Sequence, residues 1–180
     1  MLCGGQLDWI VNRRGVVAKK KRRRRTNAMR LLDVNRIDYE VLSFSPDIHS
    51  AKGVAEALDL DPNTVYKTLV IERARGKPLL VMTPGDDQVD LGALAASVGE
   101  KKLSMASHQD AERLTGLQVG GISALALLNR GFEVCIAEAA RELDRIVVSA
   151  GERGLNLRLA VEDLVRVTDA RWVAVTSIVL

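Results

Sequence analysis

The chain has 180 residues, 47% of them hydrophobic and 27% charged, which is the balance of a soluble chain able to bury one core, and no apolar run approaches the roughly 18 residues of a membrane span. A formal net charge of +3 and a pI near 9.0 point to an acidic partner, but residues 1–25 hold nine of the 26 Lys and Arg (Arg13, Arg14 and Lys19 through Arg25) against the single acid Asp8. The remaining residues carry 17 basic and 22 acidic side chains, so the expected folded body is acidic and the basicity belongs to the tail.

Seven consecutive cations repel one another and cannot be buried, so residues 1–25 read as a basic, disordered extension. Three readings of it stay open: an arm that attracts RNA by releasing counterions, a solvated tail, or a leader upstream of a true start at Met29. It does not fit an export signal, because the charges follow only Trp9-Ile10-Val11 instead of preceding an apolar stretch. A cytoplasmic protein is expected, and Cys3 and Cys135, too few for a disulfide framework and lacking metal-ligand spacing, agree with that.

Beyond the tail, Thr26 or Asn27 can cap a helix with Ala28, Leu31 and Leu32 at helical spacing, ending near Asn35. A strand is expected over Tyr39–Phe44 with Val41 on its apolar face, then a helix over Ala51–Leu58 capped by Ser50, then a turn at Asp61-Pro62-Asn63. Tyr66–Glu72 and Leu79–Thr83 read as a β-hairpin. Asp90 caps a helix through Val98 that Gly99 stops, Lys102–Met105 is a short strand, and Ser107 or His108 opens a helix to Thr115. Gly116 and Gly120-Gly121 break the chain before a segment at Ser123–Leu128. Strands follow near Glu133–Ala137, Arg145–Ser149 and Leu155–Leu159, with a turn at Gly151–Gly154, a helix over Val161–Val165 and a closing strand at Trp172–Thr176. Strands outnumber those of a βαβ alternation, so the expected fold is α+β: a single mixed-sheet domain over residues 26–180, its sheet curved or barrel-like and surrounded by helices.

The sequence offers little to a conventional hydrolase. His49 and His108 belong to no ligand set and read as surface or capping residues, and Cys135 sits in an apolar strand as a small hydrophobe. There is no nucleophile elbow, phosphate loop or dinucleotide fingerprint, and no cofactor or metal is called for. Two features stand out. In Val65-Tyr66-Lys67-Thr68-Leu69-Val70-Ile71 the alternation places Lys67 on the face of Leu69 and Ile71, where it either snorkels out or meets an anionic group. In Val119-Gly120-Gly121-Ile122-Ser123 the paired glycines form a plain tight turn, or else bring backbone N–H groups close to a carbonyl oxygen that gains charge.

From Thr26 to about Thr176 the order and spacing of these segments resemble the YbaK/EbsC family of free-standing aminoacyl-tRNA deacylases. The resemblance is carried by Val65 through Leu69, Val81-Met82-Thr83-Pro84, Asp90-Leu91, Lys101-Lys102, Met105-Ala106, Thr115-Gly116, Val119 through Ser123, Val148-Ser149, Arg153-Gly154-Leu155 and Asp163-Leu164. It implies the fold of the editing domain of prolyl-tRNA synthetases and removal of cysteine from mischarged Cys-tRNA(Pro), with Cys-tRNA(Cys) as a further substrate and prolyl-tRNA synthetase as a possible partner. The catalytic lysine of that family falls on Lys67, and its substrate loop on Gly120, Gly121, Ile122 and Ser123, with Phe44 and Asn156 at further substrate-binding positions. The substrate's own thiol is the implied nucleophile, which accounts for the missing protein one. Local cations for tRNA are Lys101, Lys102 and Arg153.

Four positions depart from the family pattern: Ala124 stands where the loop usually has proline, Asn156 where an aspartate is expected, Phe44 where the branch has tyrosine, and Ala137-Glu138-Ala139 where Asp-Ala-Pro is expected. Asn156 can still accept a hydrogen bond but carries no charge. These departures keep two alternatives in view, a deacylase for another small amino acid such as alanine and a non-catalytic module binding tRNA or a synthetase.

Overall fold

The computed structural model describes residues 25–85 and 87–175 together with two short strands of the preceding segment, β1 (Trp9–Val11) and β2 (Val17–Lys19), which pair antiparallel. The rest of the basic extension and Thr176, the expected end of the last strand, lie outside the described residues.

Local chemistry sets most element boundaries. Helix α1 (Asn27–Val34) begins where the Thr26 hydroxyl accepts the Met29 N–H at 3.3 Å, and it buries Ala28, Met29 and Leu32. After strand β3 (Tyr39–Ser43), helix α2 (Ala51–Leu58) starts at Ser50, whose hydroxyl accepts from Gly53, and a 3-10 turn over Pro62–Thr64 is capped by Asp61. Strands β4 (Tyr66–Arg73) and β5 (Leu79–Pro84) form the expected hairpin. Asp90 caps helix α3 (Leu91–Val98) through the amides of Gly92 and Ala93, and Gly99 ends it in the left-handed region. Strand β6 (Leu103–Met105), helix α4 (His108–Thr115) and helix α5 (Ala124–Leu127) follow, the last two capped by Ser107 and Ser123. The chain closes with β7 (Glu133–Ala137), β8 (Arg145–Glu152), β9 (Leu155–Ala160), helix α6 (Val161–Thr168) and β10 (Arg171–Val173).

The strands make a mixed five-stranded sheet in the order β10-β7-β5-β4-β6 and an antiparallel three-stranded sheet in the order β3-β9-β8. β7 runs parallel to both β5 and β10. β5 is buried along its whole length because it lies inside the larger sheet with both faces covered, which its run Leu79-Leu80-Val81-Met82 suits. A parallel bridge, Val65 to Val147, joins the two sheets, which form an α+β fold without closing into a barrel.

Several boundaries differ from the sequence reading: α6 runs on past Val165 to Thr168, and the last strand starts at Arg171 and ends at Val173. β8 does not stop at Ser149 but continues to Glu152 through an irregularity in its pairing with β9. The glycines at 151 and 154 make the whole stretch look like a turn, whereas Gly151 belongs to the irregular strand end. Val41 is 44% exposed, because β3 is the outer strand of its sheet and lacks cover on that side. Among the described residues no helix is long and apolar enough to cross a membrane.

Apolar burial divides into two clusters. The larger spans both sheets and includes Leu80, Ile136, Leu157 and Leu164. The smaller consists of Val54, Ala55, Val65 and Val147 with Leu42, Phe44, Ile48, Ala51, Leu58 and Leu60 packed on it. The smaller cluster borders the site.

Candidate active site

A cavity of about 200 Å³ opens where α2, the start of β4, the loop before α5 and the β8–β9 pair converge. Ile48, Ala51 and Val54 supply an apolar wall from α2 and the segment before it, and Phe44 continues that wall from the end of β3. Lys67, Thr68 and Leu69 line it from β4, Val119, Gly120 and Ile122 from the loop, and Ser149 and Asn156 from the smaller sheet. Lys67, Phe44, Gly120, Ile122 and Asn156, distant in sequence, thus share one cavity.

Lys67 is part-buried, and its described partners are backbone oxygens. Its ammonium pairs with no carboxylate among the described residues; it donates to the backbone oxygens of Gly85 at 2.8 Å and Asp87 at 2.9 Å. Those carbonyls lie in the loop after β5, and Gly85 reaches Lys67 only because it lacks a side chain. A Cβ there would stand 1.8 Å from the Cβ of Ala51 in α2. Two carbonyl oxygens leave the third ammonium proton for a ligand oxygen.

Beside Lys67, Tyr66 is 4% exposed and its hydroxyl has no hydrogen-bond partner among the described residues. Burial, reinforced by the negative charge of Asp87, pushes its pKa up to about 12, so the phenol keeps its proton. Asn156 is 7% exposed and faces Ser149 directly across the β8–β9 ladder. Its carboxamide bonds to no other described side chain or backbone group, so its oxygen and amide protons are available in the cavity.

The glycine loop divides its labour. The Gly121 N–H closes a turn onto the Gln118 oxygen at 2.8 Å and is not offered to the cavity, whereas the Gly120 N–H has no acceptor among the described residues. Gly121 is pressed onto the β8–β9 turn, where an added Cβ would meet the Arg153 nitrogen and the Glu152 carbonyl carbon at 3.0 Å. Ser123, 1% exposed, does not line the cavity and caps α5 by accepting from Ala126 at 3.3 Å. The side chains of Arg153 and Glu112 hold the loop from outside: Arg153 Nε donates to the Val119 oxygen at 2.6 Å, and the Val119 N–H donates to Glu112 Oε1 at 2.9 Å.

Lys101 and Lys102 are exposed between α3 and β6 and do not line the cavity; Lys102 borders a separate groove with Arg73 and Ser104. Cys135 is fully buried in β7, where burial raises its thiol pKa to about 11, helped by Glu133 and opposed by Arg171 and Arg73. His49, read as a surface residue, borders the cavity together with Ser50. The sequence reading also passed over Tyr66, Ser149 and Glu112 as site residues. Ser149 could have been found from the register that pairs it with Asn156, while Glu112 reaches the loop only through tertiary packing.

The site thus brings together the Lys67 ammonium, a loop N–H without an acceptor among the described residues and a small, largely apolar cavity. The model of the aminoacyl-tRNA editing domain matches residues 45–167. A protein of Enterococcus faecalis named "Putative Cys-tRNA(Pro)/Cys-tRNA(Cys) deacylase EbsC" is 35% identical over 163 residues, covering 89% of this chain and 99% of that protein. A proline–tRNA ligase of Limosilactobacillus reuteri is 29% identical over 87 residues, 46% of this chain and 15% of the ligase. A solved structure described as a "putative trans-editing enzyme for prolyl tRNA synthetase" shares the fold, with a TM-score of 0.71 at 20% identity over 84% of this chain and 97% of the other. The chain belongs to the aminoacyl-tRNA editing domain family.

Proposed function

We propose that the protein acts in trans as a deacylase of mischarged tRNA, with Cys-tRNA(Pro) as its substrate and Cys-tRNA(Cys) as a second one. Family membership carries the reaction class, and the name of the Enterococcus relative supports the amino acid. The observation that carries the site assignment is the ammonium of Lys67, fixed by two carbonyls at the wall of a cavity sized for a small aminoacyl group.

In this reading the 3′-terminal ester enters with its side chain against Phe44, Ile48 and Val54. The substrate sulfur attacks the ester carbonyl carbon. A C–S bond forms, the ester C–O bond breaks, and the thiol proton ends on the ribose oxygen, which leaves as the tRNA hydroxyl. Water then opens the released thiolactone to cysteine. The protein positions the reacting groups and stabilises the charge that gathers on the carbonyl oxygen, with the Gly120 N–H and the Lys67 ammonium as donors. Phosphates beyond the terminal nucleotide meet exposed cations such as Lys101 and Lys102. The proline–tRNA ligase relative supports prolyl-tRNA synthetase as a working partner.

The test is a deacylation panel of Cys-tRNA(Pro), Cys-tRNA(Cys), Ala-tRNA(Pro) and Ser-tRNA, with and without prolyl-tRNA synthetase. Release of cysteine alone, trapped as the thiolactone or its amine adduct, is expected. Turnover of Ala-tRNA(Pro) at the same rate would overturn the thiol route.

A further inference from the structure

The strongest remaining observation is the clamp on Val119. Both of its backbone polar groups are taken by side chains from other elements: the N–H by Glu112 of α4, and the C=O by Arg153 of the β8–β9 turn. Arg153 Nη2 also lies 4.0 Å from the same Glu112 oxygen, so the two clamping groups face each other as an ion pair. Both side chains are part-exposed, at 36% and 44%, and as a bare surface pair they would contribute little. Their position on one peptide unit gives them a role.

The Val119 C=O and the Gly120 N–H belong to the same planar, trans peptide, in which the two bonds point in opposite directions. Holding the carbonyl on the Arg153 side therefore fixes the orientation of the Gly120 N–H, which has no acceptor of its own among the described residues and belongs to a residue lining the cavity. A cationic donor on the carbonyl also polarises the peptide and strengthens its N–H as a donor. The preceding peptide is fixed by Glu112, and Gly121 seats the following residue on the backbone of the same β8–β9 turn.

We propose that Arg153 and Glu112 are positioning residues that aim and polarise the Gly120 N–H toward the substrate carbonyl oxygen, so that Arg153 serves the pocket and not a tRNA phosphate. This rests on the deacylase reading. A role in phosphate binding and a role in aiming the loop predict different kinetics. Loss of a phosphate contact raises KM and lowers the salt slope by about one, whereas loss of a transition-state donor lowers kcat.

The experiment compares wild type with Arg153→Ala, Arg153→Lys and Glu112→Gln in single-turnover deacylation of Cys-tRNA(Pro) at several salt concentrations. In parallel, the Gly120 amide is followed by 15N–1H NMR in the ligand-free proteins. Arg153→Ala is expected to lose about tenfold or more in kcat with an unchanged salt slope. Arg153→Lys, which keeps a cationic donor, should recover most of that loss, as should millimolar guanidinium added to Arg153→Ala. The Gly120 resonance should move upfield in Arg153→Ala and return partway in Arg153→Lys. An unchanged kcat with a reduced salt slope, or a Gly120 resonance indifferent to Arg153, would overturn the proposal. If wild type deacylates no tRNA, the deacylase reading fails while the NMR arm still decides whether Arg153 governs the Gly120 amide. If Arg153→Ala does not fold, Arg153→Lys and Glu112→Gln give the same two readouts.

Discussion

Lys67 and Gly85 are matched to each other: the ammonium donates to the Gly85 oxygen at 2.8 Å, and that oxygen is within reach only because the position beside Ala51 has no room for a side chain. A steric constraint in the packing of α2 therefore fixes the electrostatic partner of the central cation.

Gly85→Ala should consequently act on stability and rate together. The added methyl must displace either α2 or the loop, and overpacking of this kind costs about 1–3 kcal/mol. Urea denaturation is expected to show that loss, and deacylation should fall because the carbonyl moves away from Lys67. A Gly85→Ala protein with wild-type stability and rate would show that the contact is dispensable.

Removing the cation itself separates chemistry from folding. Lys67→Ala should lower deacylation by about 10²–10³-fold, the range for losing one preorganised donor, with its circular dichroism and melting curve close to wild type. Lys67→Arg should not restore the rate, because two carbonyls set for a compact ammonium do not fit a planar guanidinium.

In the proposed reaction Asn156 receives the substrate amine. An Asn156→Asp change puts a carboxylate beside Ser149 in the cavity, and hydrogen bonds to an ionised acceptor are about twice as strong as neutral ones. kcat/KM for Cys-tRNA(Pro) should rise about fivefold, while a 3-mercaptopropionyl ester lacking the amine should show no gain. An equal gain for both esters would mean that the residue does not meet the amine.

Two buried protons make stability depend on alkaline pH. Folding holds the Cys135 proton to about pH 11 and the Tyr66 proton to about pH 12, against ordinary values of 9.0 and 10.0. The folded form therefore binds these protons more tightly than the unfolded one. Their contribution is complete below pH 9 and is lost as pH rises toward 11–12. Denaturation midpoints should fall across that window, with a shallower fall in Tyr66→Phe. Near neutrality Tyr66→Phe should leave stability equal to wild type or about 1 kcal/mol higher, because the hydroxyl it removes has no partner among the described residues. In a Cys3→Ser background, thiol reagents should label Cys135 only on unfolding.

Capping residues and glycines made most element boundaries legible in the sequence. Ser50, Asp90 and Gly99 act within three residues of the amides and carbonyls they satisfy, so the helices they bound were readable without tertiary information. The strand end at 151 and 152 was not, since a glycine serves a bulge and a turn equally well. The importance of Lys67 came from its place on an apolar strand and from the family resemblance. Its partners could not be read there, because backbone carbonyls carry no sequence signature and Gly85 looks like any turn glycine. For Arg153 the sequence shows a charge but not the Val119 oxygen it meets across the fold.

The two apolar clusters bear on how such a site can change over time. The apolar cavity wall of Ile48, Ala51 and Val54 belongs to the small cluster around Val65 and Val147, while the sheet carrying Lys67 is anchored in the large one. Ala51 joins the two, since it lines the apolar wall and also presses on Gly85, whose oxygen holds Lys67, whereas Ile48 and Val54 have no such link to the cation. A change of selectivity can therefore be made at Ile48 or Val54 without moving the cation, while a change at Ala51 alters selectivity and chemistry together.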